Sequence, residues 1–152
     1  MEAFRLARKK FATPLSGKGA ALKGGRWNSI GIELLYLASN RSLAMAEVAV
    51  HLTLATLPPD LVMVTVAIPD DISMKTINSS KLPPNWNEFP YPAATRKVGD
   101  DFVREGKACI LKIPSAVTKG DHNLLVNPHH AEFKRLRVSS VEPFPLDRRI
   151  FK

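Results

Sequence analysis

Residues 24–52, GGRWNSIGIELLYLASNRSLAMAEVAVHL, decide the reading of this chain. Gly24 and Gly25 let the backbone come close to a neighbour or a ligand. Directly after them, Arg26 brings a planar fork suited to phosphate or carboxylate, and Asn28 brings both a donor and an acceptor. Trp27 reads as core, and Arg26 taken alone reads as well as a solvated surface charge. Residues 34 to 38 alternate as a strand, with Leu35 and Leu37 on one face and Tyr36 on the other. Residues 42 to 56 predict a helix, with Asn40 or Ser42 as N-cap and Pro58 just beyond the end. Successive helical side chains turn by about 100°, so Leu43, Val50 and Leu54 define the buried stripe, and Glu47 falls inside it. A carboxylate there is costly unless it is paired, protonated or opened to a polar cleft. A cleft is the simplest account; a partner arginine or a place at the helix rim would serve equally. His51, one turn further, reads as a packing or hydrogen-bonding histidine.

Outward from this stretch, residues 4 to 8 predict a strand with Phe4 and Leu6 on one face and Arg5 on the other. Residues 16 to 25 hold four glycines with Lys18 and Lys23 between them, a loop able to offer N–H groups and charge to an anion, though without a Walker or Rossmann pattern. A Val-rich strand is expected over 61 to 68, then an irregular Pro- and Asn-containing segment through Pro92. Tyr91 and Pro92 open a second helix that reaches Glu105 before Gly106, with Val98 and Phe102 inward. Residues 108 to 113 predict a buried strand that delivers Ser115 into a loop, and residues 133 to 141 a final strand. Between them NLLVNPHH, residues 123 to 130, reads as a loop packed back on the body, with Asn127, His129 and His130 among its apolar anchors. Ser115 reads most simply as a turn serine and lacks a nucleophile elbow. Strands and helices mix without a βαβ rhythm, which favours an α+β fold.

At 152 residues, 45% hydrophobic and 24% charged, the chain reads as one domain over 1–152 with the balance of a soluble globular protein. There are 22 Lys plus Arg against 14 Asp plus Glu, a net charge of +8 that calls for an anionic partner: nucleic acid, a phosphate-bearing small molecule or an acidic protein. No run of about 18 apolar residues and no signal-peptide pattern occurs, so no membrane association and a cytoplasmic location are expected. The single cysteine, Cys109, reads as a small buried hydrophobe. No Cys/His/Asp spacing resembles a metal site, so no metal is expected.

Taken together, residues 24–52, Phe4 and Arg5, the IPSA of residues 113–116 and the NLLVNPHH of residues 123–130 resemble the RES domain, a family named after an arginine, a glutamate and a serine. Arg26, Tyr36 and Glu47 follow one another at intervals of 36 − 26 = 10 and 47 − 36 = 11 residues, a pattern more specific than any one residue. The resemblance implies an ADP-ribosyltransferase-like fold, two small packed mixed β-sheets with flanking helices and an NAD-binding cleft. It implies Arg26, Tyr36, Glu47 and Ser115 as active-site residues, with Arg5, Trp27, Asn28 and Asn127 also toward the substrate. It further implies a toxin restrained by an Xre-like antitoxin that covers the active site. The basic surface then serves a dinucleotide and that antitoxin, and direct nucleic-acid binding is not expected.

On this expectation NAD is the substrate and no cofactor is permanently bound. Breaking the nicotinamide–ribose bond builds positive charge on the anomeric carbon, which a nearby carboxylate stabilises in the transition state. Glu47 is assigned that task, Arg26 and Arg5 the pyrophosphate, Tyr36 the nicotinamide and Ser115 a ribose or phosphate oxygen. Inorganic phosphate as co-substrate is ranked first, water or a protein side chain as alternative acceptors. Two rivals from other classes are a basic nucleic-acid-binding module and a ribonuclease using His129 or His130 with Glu47.

Overall fold

The structure, a computed structural model, describes residues 1–151. In chain order these form β1 (Glu2–Arg8), α1 (Lys18–Lys23), β2 (Leu35–Ala38), α2 (Arg41–Ala49), β3 (Leu61–Ala67), β4 (Met74–Thr76), α3 (Ala94–Glu105), β5 (Ile110–Pro114), β6 (His122–Val126) and β7 (Arg137–Pro143), with short 3-10 turns between. The strands make a 7-stranded sheet in the order β4-β5-β6-β2-β1-β3-β7. Only β4 and β5 run parallel. This is an α+β arrangement, as the mixed pattern of the sequence implies. The two halves β4-β5-β6-β2 and β1-β3-β7 meet through the single register pair Phe4 and Ala38, so what the family resemblance pictures as two sheets is hydrogen-bonded into one.

Alternation along the strands sorts the core. Leu35 and Leu37 face one side with Ala3, Val62, Val64, Val66, Leu124 and Val126. On the other side Ala38, Leu6 and Met63 pack under Leu43 and Ala44 of α2. Further along that same side, Leu111, Ile113 and Leu125 pack with Trp27 and with Phe102 of α3. Burial of the Val, Leu, Ile, Met and Phe side chains among these contributes roughly 1.5–3 kcal/mol each, and the two helices are held to the sheet by those contacts.

Several boundaries differ from the sequence reading. The helix expected over 42 to 56 ends at Ala49; Asn40 caps its start, its Oδ1 accepting the Leu43 N–H at 2.8 Å. Val50 and Leu54, placed on its buried stripe, are 58% and 46% exposed, because the chain leaves the helix before their turn is reached. Residues 18 to 23 of the glycine-rich loop form α1 instead. The loop expected over 123 to 130 starts as β6, a central strand paired on both sides by β2 and β5; its NLLV run is too apolar to lie anywhere but inside. Residues 131–135 are 3-10 turn before β7, and β4 escaped notice because three residues carry no periodicity. The second helix begins at Ala94, two residues after Pro92, and ends as expected before Gly106.

Helix α3 lies so close to the loop after Gly25 that a Cβ on Gly99 would come 1.8 Å from the Trp27 carbonyl oxygen. A mid-helix glycine normally costs about 1 kcal/mol relative to alanine, and here it permits the contact that seats Trp27. Gly99→Ala is therefore expected to destabilise the fold by about 1–3 kcal/mol through overpacking, against the gain that propensity alone forecasts. The shift of the urea midpoint, and its direction, is the measurement.

Candidate active site

Ser115 is delivered by the end of β5 and is 4% exposed. Its Oγ accepts the N–H of Val117 at 3.0 Å and of Thr118 at 3.1 Å, and donates to Glu47 Oε1 at 3.1 Å. Both lone pairs of the hydroxyl are thus engaged and its proton has one destination. The serine holds the carboxylate and is poorly placed to attack anything itself. Glu47 sits on the last turn of α2, half-buried, past the point where Leu43 and Ala44 anchor the helix.

Arg26 is the next group in. Its Nη1 donates to the carbonyls of Trp86 and Glu88, both at 2.7 Å, and its guanidinium lies over the Tyr91 ring, 5.3 Å from the centroid. Burial lowers the Arg26 pKa, and the nearby Glu47 charge opposes that lowering more than Tyr91 or Tyr36 does. Arg26 and Glu47 are therefore electrostatic neighbours, although the described residues show no direct ion pair between them. Arginine is always charged and its remaining nitrogens stay available for an anion.

Tyr36 shapes the loop that carries Arg26. Its hydroxyl accepts the Trp27 N–H at 3.1 Å and donates to Asn28 Oδ1 at 2.7 Å. Asn28 is 0% exposed, and its Nδ2 donates to the carbonyls of Ala20, Ser29 and Ile32. A Cβ at Gly25 would lie 2.8 Å from the Tyr36 hydroxyl, so any side chain there would push that hydroxyl off its two hydrogen bonds. Asp100, 5% exposed, accepts the Ser29 N–H at 2.9 Å and its O–H at 2.6 Å, tying the far end of the loop to α3. Trp27, 3% exposed, is core, as its sequence context implies.

The structure thus gathers Arg26, Tyr36, Glu47 and Ser115, with Trp27 and Asn28 buried behind them as framework. Arg5 lies opposite Val64 in the sheet and so faces away from Phe4, Leu6 and α2. Burial lowers its pKa, and it makes no hydrogen bond or ion pair with the described residues. Asn127 lies beyond the end of β6, whereas His122 at the other end of that strand pairs with Pro114 beside Ser115. At about 3.3 Å per residue that strand keeps Asn127, His129 and His130 apart from Glu47. Asn127 Oδ1 instead accepts the His129 N–H at 3.0 Å, shaping the turn. The pairing of His129 or His130 with Glu47, on which the ribonuclease reading depends, is not formed.

Sequence reasoning missed Asp100, Trp86 and Tyr91. For the last two the available signal was a cluster of aromatics among the prolines of residues 83–92, more than a plain connector needs. Among the described residues one group of metal-ligand types occurs: donor atoms of Cys109, His130 and Glu132 lie within 4.8 Å of one another. His130 and Glu132 are already engaged, and burial keeps the Cys109 thiol protonated. His130 Nδ1 accepts the Glu132 N–H at 3.1 Å, Glu132 Oε2 accepts the N–H and O–H of Ser73, and burial pushes the Cys109 thiol up to about 11. No helix among the described residues is long and apolar enough to cross a membrane.

The fold sets a seven-stranded mixed sheet under α2 and α3, with a carboxylate beside an arginine. It is similar to a chain in the crystal structure of the M. tuberculosis MbcT–MbcA toxin–antitoxin complex, with a TM-score of 0.76 and 19% identity over 95% of this chain and 84% of that one. A family model described as RES domain matches residues 2–147, and the chain belongs to that family. Among its relatives, the Prs ADP-ribosylating toxin of Sphingobium sp. (strain YBL2) is 32% identical over 148 residues, 96% of this chain and 92% of that protein. Toxin Res of Yersinia enterocolitica serotype O:8 / biotype 1B is 33% identical over 153 residues, 99% of both chains.

Burial raises the Tyr36 phenol pKa far above its ordinary value, with the Trp27 N–H and Arg26 opposing and Tyr91 and Asp100 adding. The folded state therefore holds the neutral phenol. The stability this contributes is complete below the unfolded pKa of about 10 and is lost as pH rises from there toward the raised folded value. Tyr36→Phe should lower stability at pH 7 by about 1–3 kcal/mol, through two lost hydrogen bonds, and should flatten the alkaline decline. Urea unfolding of both proteins from pH 7 upward checks both effects.

Proposed function

We propose that this chain is the toxin of a toxin–antitoxin pair, and that it destroys NAD by breaking the nicotinamide–ribose bond. The observation that carries the reading is the Ser115 hydroxyl holding the Glu47 carboxylate within the field of Arg26. The toxin names of the relatives and the toxin–antitoxin complex of the structural neighbour support the wider setting.

In the reaction the bond from the anomeric carbon to the pyridinium nitrogen breaks, and its electron pair leaves with neutral nicotinamide. The ribose carbon becomes cationic, and a carboxylate fixed beside it stabilises that state more than the ground state. Glu47 serves here, with a ribose hydroxyl as hydrogen-bond partner. Ser115 keeps Glu47 from rotating away and so removes a reorganisation cost at the moment of reaction. Arg26 takes the pyrophosphate, because its fork matches phosphate geometry. Arg5, expected as a second cation for that anion, leaves β1 on the face away from α2 and takes no part in this contact. Tyr36 borders the nicotinamide side with its ring while its hydroxyl keeps the Arg26 loop in shape.

A phosphate oxygen attacking the anomeric carbon completes the reaction, giving ADP-ribose 1''-phosphate; the Arg26 guanidinium and the net charge of +8 suit a second anion. The printed name of the Sphingobium relative favours a second reading, transfer of ADP-ribose to a protein side chain by the same bond cleavage. The partner is an antitoxin of Xre-like type covering the site, and the net charge of +8 suits an acidic one.

Antitoxin-free protein incubated with NAD, with and without phosphate and with candidate acceptor protein, distinguishes these by mass spectrometry. Phosphate-dependent ADP-ribose 1''-phosphate is the expected product. Free ADP-ribose irrespective of phosphate indicates a glycohydrolase, and a mass gain on protein a transferase. No nicotinamide under any condition overturns the reading. Glu47→Gln, with the same shape and no charge, should lower turnover by about 10²–10³-fold at unchanged melting temperature.

A further inference from the structure

Residues 82–92 form a strap bound by Arg26 at three points: the carbonyls of Trp86 and Glu88 by hydrogen bonds, and the ring of Tyr91 by stacking. Leu82 and Trp86 pack into the cluster of Trp27, and the two indoles are 6.1 Å apart. Tyr91 is shared. The guanidiniums of Arg26 and Arg96 each lie 5.3 Å from its ring centroid. Cations over an aromatic ring are held by its quadrupole, more strongly where water is partly excluded. The ring therefore adds a third hold on Arg26 to those of the two carbonyls.

Its hydroxyl is different. Tyr91 is half-buried, and unlike the Tyr36 hydroxyl, which makes two hydrogen bonds, the Tyr91 hydroxyl makes none with the described residues. Tyr91 lies close enough to act electrostatically on both Arg26 and Tyr36, so it borders the same group. The ring that carries this donor has two guanidiniums within 5.3 Å of its centroid, and the partner that such positive potential favours is an anionic oxygen.

We propose that Tyr91 is a further substrate-contacting residue of this site, its ring setting the Arg26 guanidinium and its hydroxyl donating to a phosphate oxygen of the bound dinucleotide. This rests on the NAD reading above. The test compares Tyr91→Phe and Tyr91→Leu with the parent in NAD turnover, together with inhibition by ADP-ribose and by nicotinamide. Tyr91→Phe keeps the ring and loses the donor. Its KM for NAD and its inhibition constant for ADP-ribose should both rise about 10-fold, the scale of one charge-assisted hydrogen bond. Its kcat should stay within about twofold, as for an interaction equal in ground and transition states. Nicotinamide inhibition and melting temperature should not move. Tyr91→Leu removes the stack too and should lower kcat as well. A parent-like KM and ADP-ribose constant in Tyr91→Phe overturns the proposal while leaving the NAD reading intact. A parent that releases no nicotinamide overturns both.

Discussion

A serine hydroxyl whose two lone pairs accept backbone N–H groups has one proton left, and in this protein that proton is given to Glu47. The bond is the point where the two layers of the site are fastened together. Glu47 belongs to α2, which rests on β1 and β2, whereas Ser115 belongs to the end of β5, two strands beyond β2 in the sheet. Neither element alone fixes the carboxylate, since α2 ends two residues after it. A flexible Glu at a helix terminus would lose several rotamers on binding substrate, and the serine has already removed that freedom.

The cationic half of the site is built on the opposite plan, from a loop made rigid by saturation. Every polar atom of the Asn28 amide is bonded inside the protein, the Tyr36 hydroxyl closes the loop from the strand, and Asp100 closes it from α3. Two glycines allow this: Gly25 beneath Tyr36 and Gly99 beneath Trp27. A saturated buried network is stiff because each member can move only by breaking bonds that nothing nearby replaces. Arg26, following Gly25, inherits that rigidity although it lies in no helix or strand.

The parts legible in the sequence were those with a period or a biased composition. Alternation in residues 34 to 38 marked β2, the Val-rich composition of residues 61 to 68 marked β3, and a carboxylate within the apolar stripe of a helix singled out Glu47. Periodicity could not fix where α2 stops, because Val50 and Leu54 continue the pattern after the hydrogen bonding has ended. It also misread NLLV, whose unbroken apolar run fits a strand buried on both faces as well as a loop anchor. Asn28 and Asp100 were illegible in role: a sequence shows polar atoms but not whether those atoms face a ligand or their own backbone. Asn127 illustrates the same limit, its amide serving the turn at the far end of β6.

Arg26 joins chemistry to architecture in a way that bears on any loss of function seen on replacing it. One nitrogen, Nη1, satisfies the carbonyls of both Trp86 and Glu88, so removing the guanidinium frees the strap as well as the charge. A lysine would keep the charge but could not hold two carbonyls from one face while offering a planar edge to phosphate. Glu47 is simpler, because its one internal partner is a hydroxyl that also has backbone partners and an amide can still accept from it. Replacement of the carboxylate by its amide therefore isolates the charge, whereas replacement of Arg26 measures the charge and the strap together. Agreement between the two would say nothing about mechanism; a difference between them reports how much of Arg26's contribution is the posture of residues 82–92.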